Sequence, residues 1–363
     1  MPTQSCRLLR EVHLAPDYPR AHIELYRCVQ CGLVYNASFL PQTQLLDAEY
    51  EESQAYSAHF NAFARDLVAA LDDRFALRGK RVVEVGCGKG SFLAELCALT
   101  GASGLGVDPS YDPARRPRPE LTQLTFERDY LGAQHASYDA DLVICRHTLE
   151  HIARPTEFMR QLAAVAGARS ALFIEVPDWQ RIAAEGAFWD IYYEHCLYFD
   201  ERALRALAQA VGCQVDSLER GFHDQYLLAY LSAGSRMDPS ARTLESAKVI
   251  GARLHAAVER WQARLQQWTQ CGERGVLWGA GSKGVAFLSA TAASTAVIPA
   301  LTDISPHKQG RYLPVTARPV LAPAQLVQLQ PEHVVVMNPA YLNEVRSDCR
   351  RLGLNAKVIS VNA

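Results

Sequence analysis

Short apolar runs alternate with amphipathic stretches through the middle of the chain. Apolar runs bounded by turn residues are typical of buried strands, and apolar positions three or four apart are typical of helices. Their alternation predicts a doubly wound α/β core, in which helices cover both faces of a mostly parallel sheet. The predicted strands are 81–85, 104–108, about 123–127, 141–145 and 171–176, with a closing antiparallel pair at about 213–219 and 225–232.

Two longer helical patterns flank this core. Residues 47–78 carry one apolar face and precede the first strand. A second helix is predicted from Pro239 and Ser240 to about Gln270. Its apolar stripe consists of Leu254, Val258, Trp261, Leu265 and Trp268. A stripe of this kind is typical of a core or of a seam between domains, and a dimer interface is the alternative.

Composition narrows the classes of partner. The chain has 363 residues and a formal net charge of −2, which gives no general attraction to nucleic acid. No apolar run approaches a membrane span, and the first ten residues lack the apolar region of a signal peptide. The ten cysteines are scattered, which favours reduced thiols. We therefore expect a cytoplasmic protein, monomeric or homodimeric, that binds neither nucleic acid nor membrane.

A glycine-rich turn follows the first predicted strand. Its cofactor candidates share one continuous motif and are Glu84, Gly86, Cys87, Gly88 and Gly90. A dinucleotide fingerprint spaces its glycines as G-x-G-x-x-G, whereas the spacing here is G-x-G-x-G. The second strand ends at Asp108-Pro109, where an acid can accept both hydroxyls of a ribose. The motif resembles motif I of class I methyltransferases, which use S-adenosylmethionine (SAM).

That resemblance implies further contacts to SAM. Asp129, at the end of the third strand, would hold the adenine amino group. Arg146 and His147 follow the fourth strand, and ligands of doubly wound sheets bind at the carboxyl ends of strands.

Cysteines near the N-terminus suggest a metal site. Cys28-Val29-Gln30-Cys31-Gly32 has the form of a zinc knuckle, in which a turn directs two thiolates at one Zn²⁺ ion. A full site needs four ligands. Cys6 is the predicted third ligand, and His13 or His22 can supply another. The alternative is a small β-ribbon that has lost its metal.

A second glycine turn lies in the last quarter of the chain. The strand 275–278 leads into Gly279-Ala280-Gly281-Ser282-Lys283-Gly284, a formal G-x-G-x-x-G, and Asp303 follows. A complete dinucleotide domain needs two mononucleotide halves, and residues 273–363 are too few for both. We therefore expect a half-sized Rossmann-like domain that binds a phosphate-bearing substrate. An NAD site, and with it an oxidoreductase, is the alternative.

These boundaries predict four parts. They are a zinc-ribbon-like N-terminal module at 1–46, a methyltransferase core at 47–236, a linking helix at 237–272 and a Rossmann-like C-terminal domain at 273–363.

Three further segments make the resemblance more specific. They are Leu149-Glu150-His151-Ile152, Tyr192-Tyr193-Glu194-His195 and Lys308-Gln309-Gly310-Arg311-Tyr312-Leu313-Pro314. The chain resembles the sugar-nucleotide C-methyltransferases of deoxysugar pathways over essentially its whole length. That family joins a zinc-binding domain, a SAM core and a Rossmann-like domain. The family pattern has two cysteine pairs, but here Cys6 is followed three positions later by Leu9 and not by a second cysteine. This departure puts the bound metal in question.

The resemblance implies chemistry at a carbon atom. Methylating carbon beside a ketone requires a base to remove a proton and a donor to stabilise the enolate. His195 is the implied base, with Glu194 as its neighbour. Tyr192 and His151 are implied to hold the sugar or its enolate, and Tyr50 to reach the site from an N-terminal lid.

Polar residues elsewhere are candidates for binding the substrate. Lys283, Lys308 and Arg311 can contact the diphosphate of a nucleotide sugar. Gln225 and Tyr226, which begin the last core strand, can reach the same pocket. The competing hypotheses are an O- or N-methyltransferase, the oxidoreductase, and a non-enzymatic interaction module on a degenerate core.

Overall fold

The computed structural model describes residues 1–43, 49–167, 170–234 and 245–363. Its largest sheet has seven strands in the order β5-β4-β3-β6-β7-β10-β9. They are β3 (Arg81–Val85), β4 (Ser103–Val107), β5 (Leu124–Glu127), β6 (Leu142–Arg146), β7 (Ala171–Pro177), β9 (Cys213–Gly221) and β10 (Tyr226–Ala233). The first five are parallel, and β10 runs antiparallel to β7 and β9. The predicted doubly wound core with its closing antiparallel pair is therefore confirmed.

Helices cover both faces of this sheet because its strands are apolar on both sides. They are α1 (Ala58–Phe75), α2 (Ser91–Thr100), α3 (Pro155–Ala166), α4 (Trp179–Glu185) and α5 (Glu201–Ala210). Helix α1 begins eleven residues later than predicted, since the Ser57 hydroxyl caps it by accepting a hydrogen bond from the Phe60 amide at 3.2 Å. Residues 50–56 are not helical and end in a turn in which the Ser57 amide donates to the Gln54 carbonyl at 3.1 Å. Except for Glu51, they line a cavity.

The N-terminal segment forms a small antiparallel sheet with part of the core. Strands β1 (Leu25–Arg27) and β2 (Val34–Asn36) make a hairpin, and β8 (Leu197–Tyr198) pairs with β2. Strand β8 closely follows the segment that contains the predicted catalytic residues Tyr192, Glu194 and His195. The pairing of β8 with β2 therefore holds the β1–β2 hairpin against that segment.

A five-stranded parallel sheet forms the C-terminal domain, in the order β13-β12-β11-β14-β15. Its strands are β11 (Gly275–Trp278), β12 (Leu301–Thr302), β13 (Val320–Leu321), β14 (His333–Val336) and β15 (Lys357–Ser360). Its helices are α7 (Ser282–Thr291), α8 (Leu326–Leu329) and α9 (Leu342–Arg351). One open sheet with a single glycine turn is the predicted half-sized Rossmann-like arrangement.

The linking helix α6 (Ala247–Cys271) packs between the two α/β units. The Trp261 indole donates a hydrogen bond to the Val361 carbonyl at 2.8 Å, and the ring of Trp268 stacks on His333. The apolar stripe is therefore core, as its pattern favoured. The predicted start at 239–240 lies outside the described residues. None of the helices in the described ranges has the length and apolar character needed to cross a bilayer.

Candidate active site

A cavity of about 390 Å³ lies where the N-terminal segment, the carboxyl edge of the seven-stranded sheet and the C-terminal domain meet. The predicted site residues that line it are Cys6, Tyr50, Glu84, Gly86, Cys87, Gly88, Arg146, His147, His151, Tyr192, His195, Gln225, Tyr226, Lys283 and Lys308. The structure thus brings residues from three separate parts of the sequence to one site.

The glycines of the first turn serve two purposes. Gly86 has a φ of +74°, and a Cβ there would lie 1.9 Å from the Thr148 hydroxyl. A Cβ on Gly90 would lie 2.3 Å from the ring of Phe126. Neighbouring protein side chains therefore require glycine at positions 86 and 90, although all three glycines of the motif were predicted to make room for a ligand. Gly88, at φ +55°, faces the cavity.

Asp108 shapes the glycine turn from outside the cavity lining. Its Oδ2 accepts a hydrogen bond from the Gly88 amide at 2.8 Å, and its Oδ1 accepts from the Ser110 amide and hydroxyl at 2.6 and 2.7 Å. A carboxylate has about four lone-pair sites, so it can still accept from a ribose. Pro109 and Gly90 are also absent from the lining.

The structure does not bring Asp129 to the cavity. Its side chain is exposed and accepts a hydrogen bond from the neighbouring Tyr130 amide at 2.7 Å. A strand-end acid is exposed when the strand lies at the sheet edge, and β5 is the edge strand here. The predicted contact of Asp129 with adenine is therefore not supported by this position.

Arg146 and His147 belong to a buried ionic network that the sequence did not predict. Glu175, in β7, accepts hydrogen bonds from Arg146 Nε at 2.5 Å and from His147 Nε2 at 2.9 Å. Burial opposes ionisation of Glu175, but Arg146 and His147 outweigh it and lower its pKa to about 2. Burial likewise opposes the charge on His147, yet Glu175 and Glu150 raise its pKa to about 9. His147 is therefore a cation at neutral pH and is unsuited to act as a base.

We predict that the His147 network makes stability depend on pH. The folded-state pKa lies above the ordinary value of 6.5, so the stabilisation is complete below pH 6.5 and is lost as the pH rises through about 9. The difference in unfolding free energy between the wild type and His147→Gln should shrink over this window, by at most about 1.4 kcal/mol per pH unit. Urea titrations at several pH values measure it. A difference that stays constant from pH 6.5 to 9 would show that folding does not raise the pKa of His147.

His195 stands in a group of aromatic and acidic side chains. It is 6% exposed, and its Nδ1 has no hydrogen-bond partner. Its ring centre lies 4.1 Å from that of Tyr192 and 4.7 Å from that of His151. Burial and the nearby imidazole of His151 hold the pKa of His195 well below 6.5. A neutral imidazole with a free nitrogen can accept a proton.

Glu150 completes this group, although sequence reasoning assigned it no role. Its Oε1 lies 4.0 Å from His195 Nε2, and neither of its buried carboxylate oxygens has a hydrogen-bond partner. Ligand atoms of Glu150, His151 and His195 all lie within 4.8 Å of one another, a spacing that could also hold a metal ion. The signal was its place in Leu149-Glu150-His151-Ile152, directly after a strand that ends at the cavity.

Glu194 is held by the N-terminal segment. The Ser5 amide donates to Glu194 Oε1 at 2.7 Å, and the Ser5 hydroxyl donates to Oε2 at 3.2 Å. Burial raises the pKa of Glu194 to about 7, although the hydrogen bonds from Ser5 oppose this. Burial also raises the pKa of Tyr192 well above 10, which keeps its hydroxyl protonated as a donor. Tyr50, itself buried, lines the cavity with Tyr192, whereas the predicted catalytic residue Glu194 is absent from the lining.

The predicted zinc ligands do not meet. Cys6 Sγ lies 3.2 Å from the Ser282 hydroxyl in the cavity wall, where burial raises its pKa to about 11. Cys28 and Cys31 form a separate pair at the ribbon turn. Within the described ranges, no third His, Cys, Asp or Glu side chain joins that pair at metal-binding distance. The grouping of Cys6 with Cys28 and Cys31 is therefore corrected, and these residues do not fit a four-ligand Zn²⁺ site.

The second glycine turn is built like the first. The Ala280 amide donates to Asp303 Oδ2 at 2.9 Å, and the Ser305 amide donates to Asp303 Oδ1 at 2.9 Å. Lys308 pairs with Asp303 at 3.3 Å, and Lys283 forms an ion pair with Asp190. Burial and the nearby charge of Arg181 lower the pKa of Lys283 well below 10.5, whereas at Lys308 the effect of burial is outweighed by Asp303, which raises the pKa. A lysine has at least two N–H donors in either protonation state, so both can still contact a ligand.

Of the remaining predicted substrate-binding residues, Gln225 and Tyr226 line the cavity and Arg311 does not. Gln225 Nε2 donates to Asn338 Oδ1 at 2.9 Å and leaves its own Oε1 unpaired. Tyr226 packs edge-on against His147, with ring centres 4.5 Å apart. Arg311 does not line the cavity, because the chain turns away after Lys308 to form the Tyr312–Pro319 bridge. The structure therefore does not bring Arg311 to the site.

The cavity fits the amino-acid end of SAM. Glu84 Oε2 and Arg146 Nη2 line it without hydrogen-bond partners, and each is shielded from water. Burial raises the pKa of Glu84 to about 8, against the nearby charge of Arg146. Leaving buried polar atoms unpaired is costly, and a ligand with an ammonium and a carboxylate group would satisfy both.

Comparisons with known proteins agree with this geometry. Residues 56–218 match the methyltransferase domain family, and residues 241–356 match the C-methyltransferase C-terminal domain family. The chain therefore contains a methyltransferase domain followed by the C-terminal domain of C-methyltransferases. It is 25% identical to C-methyltransferase NovU of Streptomyces niveus over 350 residues, which cover 89% of this chain and 81% of that protein.

Other matches are shorter. The ubiquinone biosynthesis O-methyltransferase of Stutzerimonas stutzeri strain A1501 is 33% identical over 101 residues, which cover 26% of this chain and 43% of that enzyme. The chain thus spans less than half the length of this relative. Among solved structures, the Burkholderia thailandensis 1,6-didemethyltoxoflavin-N1-methyltransferase aligns with a TM-score of 0.40 at 14% identity, covering 58% of this chain and 100% of that one.

Proposed function

We propose that this methyltransferase transfers the methyl group of SAM to a carbon beside the ketone of a nucleotide-linked keto-deoxysugar. The observation that carries the proposal is the uncharged, buried His195, whose Nδ1 has no partner, in the cavity that also contains the glycine turn. Transfer to oxygen or nitrogen uses a lone pair, whereas transfer to carbon first requires a base that removes a proton from that carbon.

The side chains around His195 suit this step. His195 takes the proton from the carbon next to the ketone, and the electron pair of that C–H bond passes to the ketone oxygen as an enolate. The Tyr192 hydroxyl, kept protonated by burial, donates a hydrogen bond to that oxygen. His151, whose ring centre lies 4.7 Å from that of His195, orients the sugar. The cavity would hold the two reactants next to each other, which contributes to the rate.

SAM, when bound, supplies an electrophilic methyl group. Glu84 and Arg146 would hold its amino-acid end, and Asp108 and the 86–90 turn would support its ribose. Lys283 and Lys308 lie across the cavity on the C-terminal domain and would bind the diphosphate of the substrate.

A panel of nucleotide-linked keto-deoxysugars and ¹³C-methyl SAM tests the proposal. We expect at least one ketosugar to give a product with the label on carbon, identified by its NMR shift. The matched controls are the same sugars with the ketone reduced to an alcohol, which should not react because their C–H proton is not acidic. A labelled methoxy group, or equal reaction of the reduced sugars, would instead indicate an O-methyltransferase.

A further inference from the structure

Residues 50–57 run along the cavity wall and contact the N-terminal segment, the core and the C-terminal domain. The Glu51 amide donates to the Cys6 carbonyl at 3.1 Å, and the Glu51 carboxylate pairs with Arg115 of the core at 2.5 Å. The Ser57 hydroxyl donates to Glu344 of the C-terminal domain at 2.8 Å. Anchors at both ends therefore fix the position of the residues between them.

Glu52 lies between these anchors and points at the glycine turn. Its Oε1 would be 2.5 Å from a Cβ built on Gly88, so the carboxylate rests directly on that glycine. Its Oε2 is shielded from water and has no hydrogen-bond partner. Glu51 also has one unpaired oxygen, but its other oxygen pairs with Arg115 and its side chain does not line the cavity. The side chain of Glu52 does line the cavity.

The surroundings of Glu52 indicate the kind of group that it would bind. Asp108, the acid expected at a ribose, bonds to the amide of the same Gly88. Burial raises the pKa of Glu52 to about 7, with Lys89 opposing and Asp108 adding to the rise. A carboxyl group that is partly protonated near neutral pH suits a hydroxyl, which can donate to the ionised form and accept from the protonated form. An ammonium or sulfonium group would suit only the ionised form.

We propose that Glu52 is a cofactor-binding residue that hydrogen-bonds the ribose hydroxyls of SAM, with Asp108 flanking the same glycine. The proposal deepens the site described above and depends on the assignment of the 86–90 turn to SAM. It also explains why residues 50–57 are anchored at both ends, since those anchors keep Glu52 over Gly88.

Isothermal titration calorimetry with three ligands tests this role. SAM, S-adenosylhomocysteine and 5′-methylthioadenosine all contain the ribose. Only SAM carries the charge of the sulfonium, and 5′-methylthioadenosine lacks the amino-acid end. We expect Glu52→Ala to weaken binding of all three by a similar factor, about 10-fold or more, which is the effect of losing a hydrogen bond to a charged group. Glu52→Gln, which keeps a donor and an acceptor, should lose less.

Glu49→Ala is the matched control, since Glu49 lies just before the segment, its side chain is 45% exposed, and it pairs with Arg7 and Arg10 away from the cavity lining. It should bind all three ligands as the wild type does. A loss confined to SAM would place Glu52 at the sulfonium, and a loss that spares 5′-methylthioadenosine would place it at the amino-acid end. Either result, or unchanged binding, overturns the ribose assignment. A wild type that binds none of the ligands would contradict the cofactor site itself.

Discussion

Replacing His195 with asparagine should lower the rate of methyl transfer by about 10²- to 10⁴-fold, the usual contribution of a positioned general base. Asparagine retains polarity and similar size but cannot take a proton at neutral pH. The step that it removes is the formation of the enolate, so exchange of the substrate C–H proton with deuterated solvent should fall together with methyl transfer. NMR follows the exchange, and formation of S-adenosylhomocysteine follows the transfer.

The matched control is His255→Asn, the same substitution at an exposed histidine on α6. It should leave both rates unchanged. Affinity for S-adenosylhomocysteine should be retained in both variants, because cofactor binding is assigned to other residues. If His195→Asn keeps full turnover, the base lies elsewhere. If exchange persists while transfer is lost, His195 positions the substrate and does not remove the proton.

The part of the fold that the sequence predicted best is the part that local pattern determines. The strand at 81–85 agrees residue for residue, and the strands predicted at 104–108 and 141–145 shift by one residue. These strands are buried on both faces, so their apolar runs end where the sheet ends. The predicted start of α1 was wrong because residues 50–57 are held by contacts with Cys6, Arg115 and Glu344. These partners are far away in sequence, so the local pattern does not indicate them.

The site residues that were predicted correctly also belong to local sequence motifs, whereas those that were missed are placed by contacts distant in sequence. The glycine turn and the segment containing His195 are local motifs, and the structure brings both to one cavity. Cys6 was grouped with the zinc pair as the remaining member of an incomplete first cysteine pair, whereas its position depends on packing against Ser282. Ser5 and its bonds to Glu194 could not be predicted, because they join residues 189 positions apart.

The sequence of β7 contains an indication of the buried ion pair that was not included in the prediction. Glu175 interrupts the apolar run Phe173-Ile174-Glu175-Val176 in the middle of a buried strand. An acid in such a place must have a charged or hydrogen-bonding partner, because an isolated buried carboxylate is too costly. The partner had to come from a neighbouring strand, and Arg146 is the cation at the corresponding end of β6.

This pair gives the second large prediction, which concerns stability. Arg146→Met should lower the free energy of unfolding by about 3–5 kcal/mol, the usual cost of breaking a buried ion pair. Methionine fills a similar volume but leaves Glu175, which is 0% exposed, with His147 alone. It also removes the guanidinium that lies 3.9 Å from the centre of the Phe92 ring. Urea titration followed by circular dichroism measures the change.

Arg154→Met is the control for that substitution, because Arg154 pairs with Glu157 at the surface and its side chain is 79% exposed. An exposed pair contributes little, so we expect a change of less than about 1 kcal/mol. An equal loss in the two variants would mean that burial of the Arg146–Glu175 pair has no special effect.

The double variant Arg146→Met, Glu175→Met separates the attraction of the pair from the cost of a stranded charge. With both charges replaced by apolar side chains, position 175 no longer holds a buried carboxylate that has lost its arginine partner, and His147 retains Glu150 at 3.7 Å. We therefore expect the double variant to lose less stability than the sum of the two single variants, with a coupling of about 0.5–3 kcal/mol. Strictly additive losses would mean that the two side chains stabilise the fold independently and that His147, not Arg146, holds the Glu175 carboxylate in its ionised form.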